Sequence, residues 1–174
     1  MSNHLSTHPF RSDRKVVLGL GNLLLSDESF GLHAMQILRE QIDSRMEIDF
    51  VDGGVLGLDL LPLVEEASHM LVFDALDADL PPGSLVELID DQILKGADIK
   101  LSEHQIGFQE VLGLANFRGR LPEHLHLIGV QPAVIGLGLE LSQPVTQVLP
   151  LAVSRAKQVL AGWIKQTTFT PSRG

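Results

Sequence analysis

Three side chains, Glu28, Asp74 and His104, form the set in this sequence best suited to chemistry. Two carboxylates and an imidazole suit a divalent transition metal such as Ni²⁺, Zn²⁺ or Mn²⁺, and they leave coordination positions open. Glu28 follows one apolar strand candidate, Asp74 closes another, and His104 opens a helix candidate. Because open α/β sheets bind ligands beyond the carboxyl ends of their strands, this placement predicts a metal site at that edge.

Each of these residues also has a purely structural interpretation. Glu28 can be a first-turn helix acid that follows Asp27 as the N-cap, since negative charge is favoured at a helix N-terminus. Asp74 can simply begin a turn. His104 lies within the capping-box pattern of residues 102–105 and can be an exposed first-turn residue. The helix dipole there disfavours imidazolium, which leaves the neutral ring that metal binding requires.

The remaining histidines offer weaker candidates for a site. His4 and His8 belong to the polar N-terminal segment, and His33 lies five residues after Glu28 and so projects from another helix face. His124 and His126 alternate around an apolar residue, so both can point away from the core. The sequence contains neither an H-E-x-x-H zinc helix nor a G-x-S-x-G nucleophile turn.

Composition narrows the class of protein. The chain has 174 residues, enough for one domain with a sizeable core, and it has no cysteine, which excludes thiolate catalysis and disulfides. A net charge of −9 argues against a nucleic-acid partner. Without a long apolar run or a signal-like N-terminus we expect no membrane association and a cytoplasmic location. We expect a loose tail over 1–14, a single domain over 15–166, and a C-terminal tail over 167–174.

The elements that must position these residues alternate along the chain. Strands are predicted at 16–19, 47–51, 70–74, 84–88 and 125–130, and helices at 28–41, 56–66, 105–116 and 144–164. Apolar residues recur at the helical period through the last of these helices and predict one buried stripe. The alternation of strands and helices is typical of a three-layer α/β/α sandwich with a largely parallel sheet. The connection over 75–83 holds two prolines and is too short for a parallel crossover, so the fourth strand should be antiparallel and the five-stranded sheet mixed.

A glycine pair after the first strand raises nucleotide binding as an alternative. Gly19 and Gly21 resemble the start of a dinucleotide fingerprint, but Leu24 stands where the third glycine should allow close helix packing. Asp43 and Asp49 are weak candidates for the acid that should follow. A flavodoxin-like nucleotide-binding module therefore remains an open but poorly supported alternative.

Five ordered segments resemble the nickel–iron hydrogenase maturation endopeptidases, over about 16–163. They are Gly-Leu-Gly-Asn-Leu-Leu-Leu-Ser-Asp-Glu at 19–28, Asp-Gly-Gly at 52–54, Phe-Asp-Ala at 73–75, Ser-Glu-His-Gln-Ile-Gly at 102–107, and Ile-Gly-Val-Gln-Pro at 128–132. Each segment is weak alone, but their order and spacing together are specific. The chain departs from the family at Val55, where threonine is frequent, so that position offers no hydroxyl contact.

The resemblance implies a fold, an activity and a site. The fold would be an α/β/α sandwich with strand order 2-1-3-5-4 and strand four antiparallel. The activity would be removal of a C-terminal extension from a hydrogenase large-subunit precursor after nickel insertion. Glu28, Asp74 and His104 would be the nickel-interacting and catalytic residues, and Asp52, Gly53 and Gly54 would contribute to substrate binding. The nickel would arrive with the precursor, so the resting enzyme can be metal-free. A nickel-dependent chaperone that docks without cutting is the rival function.

Overall fold

A five-stranded sheet organises the chain. The structure, a computed structural model, describes residues 13–54, 56–95 and 103–167, with the backbone alone for 103–106, 166 and 167. Its strands are β1 (Lys15–Leu20), β2 (Ile48–Gly54), β3 (His69–Ala75), β4 (Leu85–Ile89) and β5 (His124–Val130). Its helices are α1 (Phe30–Gln41), α2 (Leu61–Glu66), α3 (Asp91–Leu94), α4 (Glu103–Phe117) and α5 (Gln143–Thr167).

The strand order confirms the predicted mixed sheet. It runs β2-β1-β3-β5-β4, with β4 antiparallel to β5 and the other pairs parallel. The short, proline-containing connection between β3 and β4 explains the antiparallel strand, because it cannot cross the sheet. The parallel strands β1, β2, β3 and β5 all end at one side, here called the carboxyl edge. The chain reverses its direction across the sheet between β1 and β3, where doubly wound folds form their ligand crevice.

Two apolar layers enclose the sheet. Helices α1 and α5 cover one face, where Val17, Leu71 and Ile128 are fully buried. Helices α2, α3 and α4 cover the other face, where Val16, Met70 and other alternate residues point. The apolar stripe predicted for the last helix is confirmed, since its members pack on the first of these layers: Val145, Val148, Leu149, Ala152, Ala156, Val159, Leu160 and Trp163.

Two helix predictions needed correction, and one short helix was missed. The predicted helix 28–41 is a 3-10 helix, Ser26–Ser29, followed by α1, and the predicted helix 56–66 is a 3-10 helix, Gly57–Leu60, followed by α2. The short α3 was not predicted, because four residues give too little periodicity to recognise. No helix in the described part of the chain is both long and apolar enough to cross a bilayer.

The amino edge of the sheet carries an unexpected aromatic cluster. His69 on β3 lies opposite His124 on β5, with ring centroids 4.6 Å apart, and the ring of Trp163 lies 5.1 Å from that of His69. His124 and His126 are half-buried on the face that α5 covers, so the expectation that both point away from the core is wrong. Burial, together with His124 and Lys15, lowers the pKa of His69. This imidazole therefore behaves as part of the core.

Residues at the expected N-terminal boundary contact the domain. The backbone oxygen of Arg14 accepts hydrogen bonds from the N–H groups of Ser68 and His69, and its guanidinium pairs with Asp49 and Glu66. The loose tail predicted for 1–14 lies outside the described residues up to position 12, as does most of the predicted tail 167–174. Both boundaries stay predictions.

Glycines allow α1 to sit directly on the strand ends. A Cβ added at Gly31, the second residue of α1, would lie 2.3 Å from the backbone oxygen of Leu20 and 2.4 Å from that of Phe73. A Cβ at Gly19 would lie 2.8 Å from the backbone oxygen of Gly31. Gly19, one of the two glycines that resembled a nucleotide fingerprint, is therefore explained by close helix–strand packing.

A pair of glycine substitutions tests this close approach. Gly31→Ala should lower the free energy of unfolding by about 2–4 kcal/mol, because the new methyl group overlaps two backbone carbonyls that cannot move independently. Gly113→Ala is the matched control, since that exposed α4 glycine has nothing within 4 Å of the added Cβ. It should stabilise the protein by ~0.4–1 kcal/mol. Chemical denaturation measures both, and equal effects of the two variants would contradict the packing argument.

Candidate functional site at the carboxyl edge

Asp74 closes the central strand β3 at the carboxyl edge. Its carboxylate Oδ1 accepts a hydrogen bond from the backbone N–H of Ala75 at 2.8 Å, which fixes the orientation of the group. Side-chain alternation places Asp74 on the same face as Met70 and Val72, the face that α4 covers. Asp74 is 5% exposed, although burial of a carboxylate is costly without a partner. Asp74 is therefore placed either to bind a metal ion or to serve as a structural acid held by specific contacts.

Glu28 lies in the 3-10 helix between β1 and α1. It is half-buried, and its backbone carbonyl packs on Gly21, where an added Cβ would approach to 1.9 Å. Gly21 has a positive φ of 133°, so only glycine lets the chain turn there beneath Glu28. The 3-10 helix packs against β3. Glu28 and Asp74 therefore come from neighbouring elements at the point where the strand order reverses.

His104 lies in the first turn of α4, and α4 begins at the carboxyl edge. This follows from Gly107, whose added Cβ would lie 3.5 Å from the Cα of Gly57, just after the end of β2. The His104 side chain and the predicted capping box at Ser102 lie outside the described residues. The described side chains contain no group of three or more His, Asp or Glu arranged to hold a metal. The ligand assignment of Glu28, Asp74 and His104 therefore stays a prediction.

The Asp-Gly-Gly segment ends β2 at the same edge. Gly53 is packed so closely that an added Cβ would lie 2.7 Å from the Leu18 side chain, and Gly54 has a positive φ of 40°. The backbone oxygen of Gly54 accepts a hydrogen bond from the N–H of Gly21 at 3.3 Å. The two glycines thus serve the local packing of the site, whereas Asp52 is exposed and accessible to a substrate.

Asp27 does not cap a helix, contrary to the structural interpretation of the sequence. The residue preceding the 3-10 helix is Leu25, and no side chain caps that helix. Instead, the fully buried Asp27 carboxylate accepts hydrogen bonds from the N–H groups of Ala133, Val134 and Ser142 at 2.7–2.8 Å, and a fourth from the Ser142 hydroxyl. These partners belong to the loop 131–142, here called the return loop, which follows β5. Asp27 therefore joins the Glu28 turn to the return loop.

Opposing effects set the ionisation of Asp27. Burial acts to raise the pKa of this carboxyl, but the hydrogen bonds from Ser142, Val134 and Ala133 outweigh it and hold the pKa below its usual range. The carboxylate is consequently ionised at neutral pH, and it brings negative charge to the base of the site. Because the folded-state pKa is lowered, the stability from these bonds is present above the unfolded pKa. It is lost as pH falls through the folded pKa.

Gln131 holds a second loop at this edge. Its side-chain oxygen accepts hydrogen bonds from the N–H groups of Ala78 at 2.8 Å and Leu80 at 3.2 Å, both in the β3–β4 connection. Its backbone pairs with Gly83 and Ser84 in the same connection. The sequence segment Ile128–Pro132 resembled the family, but only the structure reveals that Gln131 orders the loop following Asp74.

Charge is distributed unequally between the two edges. Eight acids lie at the carboxyl edge, at strand ends or in the loops that follow: Asp27, Glu28, Asp52, Asp59, Asp74, Asp77, Asp79 and Glu140. Every lysine and arginine within the described ranges lies elsewhere, near the amino edge or from the middle of α5 onward. Several pair with acids there, for example Arg118 with Glu65 at 3.0 Å. The candidate site therefore lies in a negative potential that attracts cations.

Comparison with known proteins identifies the family. Residues 32–159 match the HycI family of hydrogenase maturation proteases. The chain belongs to this family. It is 41% identical over 166 residues to the hydrogenase expression/formation protein HupD of Rhizobium leguminosarum bv. viciae, spanning 94% of this chain and 82% of that protein. It is 32% identical to the hydrogenase 2 maturation protease of Escherichia coli, over 85% of this chain and 89% of that protein.

Solved structures agree with the assignment to the hydrogenase maturation proteases. The maturating endopeptidase HybD of Escherichia coli superimposes with a TM-score of 0.81 at 29% identity, covering 86% of this chain and 93% of that one. HybD of Thermococcus kodakarensis superimposes with a TM-score of 0.71 at 29% identity, covering 84% and 99%. The fold and the endopeptidase class predicted from the sequence are thereby confirmed, and the nucleotide-binding alternative loses its basis.

The buried Asp27 carboxylate provides a test of how the site is assembled. Asp27→Asn should lower the free energy of unfolding by about 2–3 kcal/mol, because an amide group turns N–H donors toward the donors of the return loop. Amide hydrogen exchange at residues 133–142 should accelerate. Asp59→Asn, an exposed acid at the same edge, should change stability by less than ~0.5 kcal/mol. Unaltered exchange in the return loop of the Asp27 variant would disprove the anchoring role.

Proposed function

We propose that this protein is the cytoplasmic endopeptidase that removes a C-terminal extension from a nickel–iron hydrogenase large-subunit precursor once nickel has been inserted. Membership of the hydrogenase maturation protease family supports the reaction class. The observation that carries the site assignment is the meeting of the Glu28 turn, the end of β3 and the start of α4 at one acidic edge. The resemblance of the segments around Glu28, Asp74 and His104 to the family supports these three as the nickel-interacting residues.

The donor set fits nickel as part of the substrate. Two carboxylates and one imidazole satisfy a borderline divalent cation only in part, which leaves positions for groups of the precursor. A resident structural zinc site would normally provide four protein ligands. Nickel held by these residues would supply positive charge to the bound precursor. The enzyme would thus use the bound nickel as the sign that its substrate is ready.

Each residue has a role that its surroundings support. Asp74, oriented by the Ala75 N–H, would provide a rigid oxygen ligand. Glu28, half-buried on a turn that Gly21 permits, would provide the second. His104, in the first turn of α4, would provide the nitrogen. The exposed Asp52 beside Gly53 would contact the extension of the precursor.

Cleavage with and without nickel tests the proposed reaction and separates it from a chaperone that only docks. Purified protein should convert nickel-loaded precursor into a shorter large subunit, because the partial ligand set is completed by nickel-bearing substrate. Metal-free or zinc-loaded precursor should stay uncut. Gel mobility and intact mass measure the product. Stable binding of nickel-loaded precursor without a mass change would establish the chaperone instead.

Replacement of His104 tests its role as the nitrogen ligand. His104→Gln should reduce cleavage of nickel-loaded precursor by roughly 100-fold or more, because an amide is a poor ligand for a borderline metal. The denaturation midpoint should shift by less than ~0.5 kcal/mol in free energy, because the substitution leaves the capping-box residues Ser102 and Gln105 unchanged. His126→Gln, on the sheet away from the carboxyl edge, is the control and should cleave normally. Wild-type processing by the His104 variant would remove this residue from the site.

A further inference from the structure

The return loop exposes large aliphatic side chains beside the candidate site. Leu137 is 90% exposed, Leu139 71% and Ile135 66%. Leu23 and Leu24, in the turn that leads to Glu28, are 51% and 59% exposed. Together with Val134 these six side chains are here called the apolar ridge. Isolated exposed leucines are ordinary, but a contiguous apolar cluster of this kind is typical of an interaction surface.

A backbone pairing joins the two parts of the apolar ridge. Leu25 and Gly138 form a parallel β-bridge, in which the N–H of Ser26 donates to the Gly138 oxygen at 2.7 Å and the N–H of Gly138 donates to the Leu24 oxygen at 3.0 Å. The Ser26 hydroxyl also donates to the backbone oxygen of Glu140 at 2.8 Å. The ridge is therefore held in a defined shape by the same turn that carries Glu28.

In the return loop, aliphatic side chains face the solvent and a glycine faces the protein, which is the reverse of the usual arrangement in an extended surface segment. Gly138 faces the protein, where an added Cβ would contact Ser26 at 3.4 Å. Because side chains alternate along an extended chain, Leu137 and Leu139 must face the solvent. An ordinary surface strand turns its aliphatic residues inward and its small or polar residues outward. The loop thus places glycine where a core residue would be expected and leucine where a polar residue would be expected.

The position of the ridge determines what can cover it. Leu24 precedes Glu28 by four residues, and Gly138 of the return loop is hydrogen-bonded to Leu24 and Ser26 in the same turn, so a molecule seated on the ridge lies beside the turn that carries Glu28. A second copy of this chain would obstruct the candidate site and would bring two acidic edges together, which like-charge repulsion disfavours. A molecule that reaches Glu28 as substrate covers both surfaces without this conflict.

We propose that the apolar ridge docks an apolar segment of the hydrogenase large-subunit precursor and thereby determines affinity for the substrate. This inference rests on the proposed function and extends it to a surface outside the metal-ligating residues. The ridge binds the precursor and positions it, while Glu28, Asp74 and His104 act at the nickel. Loss of the ridge should consequently weaken binding and leave the chemical step unchanged.

The test uses full-length protein and purified nickel-loaded precursor. The double variant Leu137→Ser/Leu139→Ser should raise the Kd and KM for the precursor about tenfold or more, because buried aliphatic anchors dominate interface energy. Its kcat at saturating precursor and its denaturation midpoint should match the wild type, since both side chains are solvent-exposed. Phe117→Ser is the matched control, because Phe117 is 88% exposed but lies at the opposite end of α4. It should leave Kd and KM unchanged.

Other outcomes of this experiment would contradict the docking proposal or separate it from the proposed cleavage. A wild-type KM and Kd in the double variant would overturn the proposal, and so would an equal loss in Phe117→Ser. A wild-type dimer that the double variant dissociates, with unchanged KM, would assign the ridge to self-association. If the wild type binds precursor without cutting it and the double variant fails to bind, docking at the ridge stands while the proposed cleavage fails.

Discussion

The buried carboxylate of Asp27 is the interaction on which the rest of the site depends. It joins two segments more than 100 positions apart in the sequence, with partners such as Ser142 separated from it by 115 residues. Its neighbour in the chain is Glu28, so the same short helix carries one fully buried acid and one half-buried acid. An anionic group inside the protein is tolerated here because three backbone N–H groups and a hydroxyl replace the water that it loses.

A second constraint is the direct contact between the backbone of α1 and the backbones of β1 and β3. Gly19 and Gly31 let the start of α1 approach the ends of β1 and β3 more closely than any side chain would permit. The Glu28 turn is thus fixed on one side by steric contact and on the other by hydrogen bonds from the return loop. A turn fixed in this way can present a carboxylate in one orientation, which metal coordination requires.

The sequence predicted features that depend on the family resemblance, on the length of a connection or on the spacing of apolar residues within one element. The strand order and antiparallel β4 followed from the family resemblance and from the length of the β3–β4 connection, and the buried stripe of α5 followed from its periodicity. The roles of Asp27 and Gln131 could not be predicted, because their partners are distant in sequence and a carboxylate before a helix ordinarily suggests a cap. The 3-10 helices were mistaken for α-helix, since both share the same first-turn residues.

In the return loop, the groups that attach the loop to the protein differ from the side chains that it exposes to solvent. Its hold on the protein comes from backbone groups and from Ser142, whereas the side chains of Ile135, Leu137 and Leu139 contribute little to any buried layer. Mutation can therefore alter the outward residues with small cost in stability, while the anchoring positions cannot vary so freely. Related proteases could diverge in the hydrogenase that each one serves by exchanging a few aliphatic side chains on an otherwise constant scaffold. Substrate choice and folding would then evolve as independent traits.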